Sequence, residues 1–152
     1  PAGSRIEAEL PPLEPAPREL RRAVEHKDRA QAHLLIGFRG LDVHDPDRHV
    51  LEVLCQILSG QGGRLFLQLR DRQSLAYSVG ATNVEGLAPG FFVVSIASAP
   101  DKFDEAQAGI LRELRRTLDA APPSAELERA RAFLLGSFAI ERQRSSTPAQ
   151  QM

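Results

Sequence analysis

The hydrophobic positions of this chain form two kinds of pattern, short apolar runs and longer stretches with helical spacing. Residues 32–38, AHLLIGF, and residues 91–98, FFVVSIAS, are strongly apolar runs next to glycine and polar residues. Runs of this length and composition predict strands that lie inside a sheet. Residues 20–26 give a weaker strand pattern. These runs therefore predict two strands from a strong pattern and one from a weak pattern.

A further strand is predicted from strict alternation over residues 75–84, LAYSVGATNV. The alternation places Tyr77, Val79 and Ala81 on one face, opposite Ala76, Ser78 and Gly80. The following sequence, EGLAPG at 85–90, has the composition of a turn. We therefore expect the strands on either side of it to form an antiparallel hairpin.

Helical spacing follows the first strong strand. Asp45 is predicted as the N-cap and Pro46 as the first helical residue, and the helix is expected to stop at Ser59 and Gly60. The apolar residues between these limits recur at helical intervals and define one buried stripe. They are Val50, Leu51, Leu54, Ile57 and Leu58.

Two more helices are predicted towards the end of the chain. One opens at Pro100 and Asp101 and closes before Pro122, and the other is capped by Ser124. The predicted stripe of the first is Phe103, Ala106, Ile110, Leu111, Leu114 and Leu118. The predicted stripe of the second is Leu127, Ala130, Leu134 and Phe138.

The resulting order of elements predicts an α+β fold with a mostly antiparallel sheet and helices packed on one face. Residues 1–18 contain five prolines without periodicity and are interpreted as an extended connector. Residues 19–152 are expected to form a single domain. Because the sequence stops within an open pattern, we expect this domain to be truncated at its C-terminus and to expose apolar surface.

Charge and cysteine content narrow the functional classes. The 19 basic and 20 acidic residues are interspersed and give a net charge of −1, which argues against nucleic acid or anionic membrane as a partner. No stretch approaches the about 18 continuous apolar residues of a membrane span. The single cysteine, Cys55, lies on the first helical stripe and is interpreted as a buried structural thiol.

One histidine cluster resembles a set of metal ligands. His44 and His49 stand close to Asp42, Asp45 and Asp47 in the sequence. However, Asp45 and Asp47 are better explained as residues of a helix start, and the two histidines fall on opposite sides of the helix boundary. The sequence therefore favours a structural interpretation of this cluster, and no metal site is predicted.

Residues 59–80, SGQGGRLFLQLRDRQSLAYSVG, carry the most unusual composition. Three glycines, Gly60, Gly62 and Gly63, separate the first predicted helix from a short helix over residues 64–72, and glycine permits backbone with positive φ or close approach to a ligand. The glycine turn is either a helix C-cap or a loop that contacts a peptide. Arg70 and Tyr77 likewise have an ordinary interpretation, as an exposed cation and a strand aromatic.

The run RLFLQLRDRQSLAYSV, residues 64–79, resembles the pitrilysin or insulinase family of zinc metallopeptidases, which includes the mitochondrial processing peptidase. Within that family it is similar to the second, metal-free half, and the similarity extends over residues 18–144. The family usually has glycine immediately before the Leu-Ala-Tyr sequence, where this chain has Ser74. This difference affects the expected geometry of one turn.

The resemblance implies roles for individual residues. Arg70 and Tyr77 match the family's arginine and tyrosine, which hold the substrate and polarise its scissile carbonyl. A guanidinium and a phenol are suitable donors for the negative charge that develops on that oxygen. The glycines 60, 62 and 63 are candidates for a substrate-binding loop.

The resemblance also implies a zinc ion in the full enzyme, which another domain would bind. The metal half of the family carries an H-x-x-E-H site, and this chain lacks that motif. The implied partners are a zinc-bearing half-domain, in the same or another chain, and a peptide substrate. This chain alone is expected to be inactive, and a homo-oligomer is a further possibility.

Three functional hypotheses follow from the sequence. The first is the substrate-binding half of a bacterial-type zinc endopeptidase, located in the cytoplasm or the periplasm. The second is a homologue without peptidase activity that acts as a scaffold or assembly subunit. The third, a plain ligand-binding domain, has the least support from the residues.

Overall fold

A computed structural model describes residues 15–143 of the chain. Three strands, three α-helices, a π-helix and a short 3-10 helix make up this part. In chain order the elements are β1 (Ala32–Arg39), α1 (Arg48–Leu58), the π-helix (Phe66–Arg72), β2 (Ser78–Val84), β3 (Phe91–Ser98), the 3-10 helix (Pro100–Lys102), α2 (Phe103–Asp119) and α3 (Ser124–Glu141).

The strands form one antiparallel sheet in which β3 lies between β1 and β2. β2 and β3 form the predicted hairpin, and Val84 pairs with Phe91 where the 85–90 turn closes it. β3 is the most buried strand because it is paired on both sides. The sheet therefore has two edges in the described part of the chain, one on β1 and one on β2.

The core lies between one face of the sheet and the helices, which confirms the predicted α+β layer arrangement. Leucines from α1, the π-helix and its flanks meet the inner face of β3 and the small residues of α2. The buried members of this cluster are Leu58, Leu65, Leu69, Leu75, Phe92, Val94, Ile96, Ala106 and Ile110.

The predicted strand at residues 20–26 is wrong. Residues 20–30 contain no strand or helix, and the side chain of Leu20 is 93% exposed. Strand propensity becomes a strand only where a neighbouring strand supplies hydrogen bonds, and no strand pairs with this segment. Residues 15–18 of the predicted connector are likewise exposed, and its other residues lie outside the described range.

Helix α1 begins at Arg48, two residues after the predicted first position. The Asp45 carboxylate accepts a hydrogen bond from the backbone N–H of Asp47 at 2.9 Å, and the Asp42 carboxylate accepts one from the N–H of His44 at 2.8 Å. These aspartates therefore close local turns before the helix instead of capping its first N–H groups. Short acidic side chains can do either. Ser124 is similarly the first residue of α3 and makes no side-chain cap.

The predicted helical stripes are only partly buried. In α2, Ala106 and Ile110 are buried, whereas Leu111 is exposed and Leu118 is 85% exposed. Leu111 is rotated by about 100° from Ile110, so it lies on the flank of the helix and not on the sheet. On α3, Ala130 is buried but the aromatic ring of Phe138 is exposed.

The predicted short helix over 64–72 is present, but most of it is wound as a π-helix. It ends in a tight turn in which the N–H of Leu75 donates to the carbonyl of Leu69 at 2.7 Å. Ser74 in this turn has a φ of 52°, the one non-glycine residue with positive φ in the described chain. This is the position at which the resembled family usually has glycine, and the backbone conformation gives the physical reason.

The end of α1 is fixed to the edge of β2 by one side chain. The hydroxyl of Ser59 donates to the carbonyl of Ala81 at 2.9 Å and accepts from its N–H at 2.6 Å. Because both backbone groups of Ala81 point away from β3, this hydroxyl occupies the hydrogen-bonding position that a further strand would use. The contact holds the start of the glycine turn against β2.

A buried ion pair connects the start of the short helix with α3. The Arg64 guanidinium Nε donates to the Glu126 carboxylate at 2.7 Å, and the arginine side chain is only 7% exposed. A buried guanidinium without a partner is strongly unfavourable. The pair therefore fixes the orientation of α3 relative to the glycine turn.

Replacing Glu126 with Gln should lower the free energy of unfolding by about 3 kcal/mol, because the buried charge of Arg64 would lose its counterion. Urea unfolding followed by circular dichroism measures this change. Glu128→Gln is the matched control on the same helix, since Glu128 is exposed, and it should change stability by less than about 0.5 kcal/mol. Equal stabilities for the two variants would contradict the structural role of the pair.

Replacing Ser74 with Gly should raise the free energy of unfolding by about 0.5–1 kcal/mol, because glycine relieves the cost of positive φ and loses only part of the gain to backbone entropy. Thermal and urea unfolding both report the effect. Ser78→Gly in the extended strand β2 is the control and should lower stability. A destabilised Ser74→Gly protein would show that the serine is not strained.

Candidate functional site

The backbone conformation of the glycine turn requires glycine at two of its positions. Gly60 has a φ of 76°, which favours glycine, and a Cβ on Gly63 would collide with the carbonyl of Ser59. Gly62 lies against the side chain of Arg129 from α3. These geometric demands account for two of the three glycines without any ligand. A contact between the turn and a peptide stays a prediction.

A cavity of about 290 Å³ lies beside this turn. The turn forms one wall, and α1 and α3 form the others. The lining residues are Gln56, Ser59, Gly60, Gln61, Gly62, Arg129, Ala130 and Phe133. The glycine turn therefore borders this cavity on the side that faces α3.

Arg70 lies in the last turn of the π-helix and is exposed. Its guanidinium carbon stands 5.0 Å from the ring centroid of Phe66, one helical turn earlier. This cation–π contact restrains the side chain while its N–H donors remain in solvent. Within residues 15–143 the guanidinium makes no ion pair.

Tyr77 directly precedes β2, and its side chain is 56% exposed. Its backbone N–H donates to the carbonyl of Ala97 at 2.8 Å, so the residue is attached to the central strand although its ring is not packed in the core. The sequence predicted that Tyr77 shares a strand face with Val79 and Ala81. Val79 and Ala81 are half-buried, whereas Tyr77 lies just before the strand and is exposed.

The structure places Arg70 and Tyr77 on the two sides of one turn. The bond from Leu75 to Leu69 closes this turn, and the bond from the N–H of Ser74 to the carbonyl of Arg70, 3.1 Å long, supports it. Both side chains are exposed. Neither lines the cavity at the glycine turn.

A second cavity, of about 500 Å³, lies between α1 and the end of β2. Its walls carry basic and acidic side chains. Nη1 of Arg48 lies 3.9 Å from Oε2 of Glu85, and Nδ1 of His49 lies 3.4 Å from Oε2 of Glu52. The sequence analysis did not single out Glu52 or Glu85. The spacing of three residues between His49 and Glu52 on one helix was the available signal.

No metal site is formed in the part of the chain that the structure describes. Groups of three or more His, Cys, Asp or Glu side chains in a metal-binding arrangement are absent from residues 15–143. Asp42 and Asp45 use their carboxylates for local backbone bonds, as noted for the start of α1. Among residues 15–143, therefore, no group of side chains fits a zinc ion.

Cys55 is half-buried on α1 and packs against the core beside Leu51 and Leu54. Burial, with a smaller contribution from the negative charge of Glu52, raises the pKa of the Cys55 thiol to about 11. The thiol is therefore protonated at neutral pH and is a poor nucleophile. Cys55 also lines the larger cavity, so the predicted burial is partial.

No helix within residues 15–143 has the length and apolar character needed to cross a membrane.

Comparison with known proteins gives consistent matches. The family model described as the peptidase M16 inactive domain matches residues 1–134. An uncharacterized zinc protease from Rickettsia bellii is 27% identical over 129 residues, which are 84% of this chain and 31% of that protein. The uncharacterized zinc protease YmxG of Bacillus subtilis is 29% identical over 115 residues, 75% of this chain and 28% of that protein.

Solved structures show the same fold. A peptidase M16 inactive domain from Pseudomonas fluorescens superimposes with a TM-score of 0.69 at 26% identity, over 73% of this chain and 27% of that one. A Helicobacter pylori protease gives a TM-score of 0.78 at 22% identity, over 84% of this chain and 32% of that one. This chain therefore spans about a third of the length of its relatives.

These matches confirm the resemblance on which the sequence analysis relied. The family model covers most of the chain, and the relatives that carry a functional name are zinc proteases. The chain belongs to the peptidase M16 family, as an inactive domain of the type found in the metal-free half of pitrilysin-like proteins.

Proposed function

We propose that this chain is the non-metal half of a zinc endopeptidase, which binds an extended peptide and completes the active site of a zinc-bearing half. The observation that carries the proposal is the exposed pair Arg70 and Tyr77, held on one turn at the positions of the family's substrate-binding arginine and tyrosine. The zinc-bearing half belongs to the same polypeptide or to a partner chain.

Arg70 would supply a permanent positive charge and several N–H donors to the peptide. Its contact with Phe66 keeps the guanidinium near the end of the π-helix, which reduces the entropy lost when a ligand binds. A free guanidinium fits the carbonyl oxygens of an extended backbone. This residue would therefore hold the substrate and also donate to the scissile carbonyl oxygen as negative charge develops there.

Tyr77 would donate its phenolic O–H to the scissile carbonyl oxygen. A neutral donor stabilises the charge that develops on this oxygen and places no second positive charge in the site. The hydrogen bond from the backbone N–H of Tyr77 to the carbonyl of Ala97 fixes the backbone that carries the ring. At Gly60 and Gly62 the turn would offer the peptide exposed backbone beside the side chain of Gln61.

The zinc ion of the partner half would supply an activated water molecule when bound. None of the residues of this chain is assigned to hold it, since they form no fitting ligand group within the described range. Every role proposed for this chain is therefore one of binding, orientation or charge stabilisation.

In the complete two-half enzyme, Arg70→Ala and Tyr77→Phe should each lower kcat by about tenfold to a thousandfold, because each removes a donor to charge that appears only in the transition state. Steady-state kinetics on a fluorogenic peptide measures the loss. Zinc content and melting temperature should stay unchanged, since neither residue is a ligand or a core residue.

Arg72→Ala is the matched control, because Arg72 is an exposed arginine on the same π-helix but outside the motif position. It should retain full kcat. Normal turnover in both the Arg70 and Tyr77 variants would contradict the proposal and favour a scaffold role. A collapse of melting temperature would instead assign the pair to the fold.

The purified chain alone should bind no stoichiometric zinc and should cleave no peptide, because residues 15–143 form no metal-ligand group and the sequence lacks the H-x-x-E-H motif. Elemental analysis after dialysis against micromolar zinc, with a peptidase assay on the same sample, tests this. Tight zinc binding accompanied by chelator-sensitive cleavage would refute the assignment to the metal-free half.

A further inference from the structure

The turn over residues 71–76, called here the Ser74 turn, is shaped by two internal hydrogen bonds. The backbone N–H of Ser74 donates to the carbonyl of Arg70 at 3.1 Å, and that of Leu75 donates to the carbonyl of Leu69 at 2.7 Å. Because both bonds are local, they set the shape of the turn but do not attach it to the sheet.

Two further bonds attach the Ser74 turn to the end of β3 and to the 3-10 helix that follows it. The backbone N–H of Tyr77, just after the turn, donates to the carbonyl of Ala97 at 2.8 Å. The ammonium Nζ of Lys102 donates to the backbone carbonyl of Ser74 at 3.1 Å. One short segment of the chain therefore holds the turn at two points.

Lys102 reaches the turn from a well-fixed backbone. Pro100 opens the 3-10 helix, and the backbone N–H of Lys102 donates to the carbonyl of Ala99 at 3.0 Å. Helix α2, which follows, packs closely on the π-helix, since a Cβ added to Gly109 would stand 2.5 Å from Cδ2 of Leu69. The side chain of Lys102 is half-buried. The donor and the turn therefore belong to elements in tight contact.

The carbonyl that Lys102 binds belongs to a residue in an unfavourable conformation. Ser74 has a φ of 52°, a region that L residues with a Cβ rarely adopt. Such a conformation persists where the surrounding structure holds it, and these positions are frequent at functional sites. Hydrogen bonds from a charged donor are stronger than those between neutral groups. The ammonium of Lys102 is suited to hold this carbonyl in place.

We propose that Lys102 is a positioning residue for Arg70 and Tyr77. Its bond to the Ser74 carbonyl keeps the turn in the conformation that presents both side chains to the same peptide. This role rests on the function proposed for the pair. It adds a residue that is distant from the pair in sequence and that acts through the turn, without contact with the substrate.

The bond acts on the rim of the turn and not on the core. Leu69 and Leu75 secure the turn to the core and are buried. A single bond from an exposed amine adds little to the stability of the whole domain. Loss of the Lys102 bond should therefore leave the fold intact and loosen the backbone between Ser74 and Tyr77.

Tyrosine fluorescence of the purified chain tests this effect, because Tyr77 is the single tyrosine and the chain has no tryptophan. Lys102→Met removes the donor and keeps the apolar part of the side chain. It should increase the amplitude of fast depolarisation in time-resolved anisotropy. Lys102→Arg should restore the unmodified value, since a guanidinium can donate to the same carbonyl.

Lys27→Met is the matched control, because Lys27 is the other lysine of the chain and forms an exposed ion pair with Glu25 at 3.1 Å. It should leave the anisotropy unchanged. Circular dichroism should show the same helix content in every variant. An unchanged anisotropy decay in Lys102→Met would overturn the proposal, and so would unfolding of that variant, which would assign Lys102 to the fold.

Kinetics of the complete two-half enzyme test the role of Lys102 in the reaction. Lys102→Met should lower kcat by about threefold to tenfold, the range expected from one hydrogen bond. In a Tyr77→Phe background the same change should cost less, because part of what Lys102 positions is already absent. Equal losses in the two backgrounds would contradict a role through Tyr77.

The same measurements separate this role from the function proposed for the pair. Normal turnover in the Arg70→Ala and Tyr77→Phe enzymes would refute the proposed function itself. An unchanged kcat in Lys102→Met, beside impaired Arg70 and Tyr77 variants, would refute the role of Lys102 alone. Lys102→Arg should recover most of the lost kcat.

Discussion

The hydroxyl of Ser59 is the contact on which the arrangement of the candidate site depends. It binds both backbone groups of Ala81, so the end of α1 and the start of the glycine turn are held at the edge of β2. The buried pair of Arg64 and Glu126 fixes the other end of the same turn to α3. The glycine turn is therefore fixed at both ends, by Ser59 and by Arg64. The π-helix that carries Arg70 begins just after Arg64.

This arrangement separates the groups that hold the fold from those that remain free to meet a ligand. Ser59 and Arg64 are tied by hydrogen bonds inside the molecule, while Arg70 and Tyr77 keep their donors in solvent. A site that has to act on a molecule bound by another domain needs this division. Under the proposed function, this division would let a domain whose described residues form no metal-ligand group contribute to the active site of a metallopeptidase.

Much of the fold could be predicted from the sequence because burial dictates its pattern. The apolar runs of β1 and β3 and the stripe of α1 mark residues that meet the core, and the hairpin follows from the turn between its strands. The errors arose where distant partners decide the outcome. Residues 20–26 have strand character but no strand to pair with among the described residues, and Leu118 has helical spacing but is 85% exposed.

The candidate site was predictable only in part. The motif located Arg70 and Tyr77, and the missing glycine at Ser74 pointed to the turn that proved to have positive φ. The contacts of Ser59 and Arg64 that fix the glycine turn could not be predicted from a short sequence pattern. The Ser59 contact joins residues 22 apart and the Arg64 contact joins residues 62 apart. Bonds of that kind depend on the folded chain and not on any short pattern.

Site-specific photocross-linking in the complete enzyme would test the central claim most directly. A benzophenone amino acid at position 77, with the metal removed to prevent cleavage, should cross-link a bound peptide close to its scissile bond. The same group at Thr82, which is exposed on β2, should capture little peptide. Equal capture at the two positions, or none at position 77, would contradict a role for this turn in substrate binding.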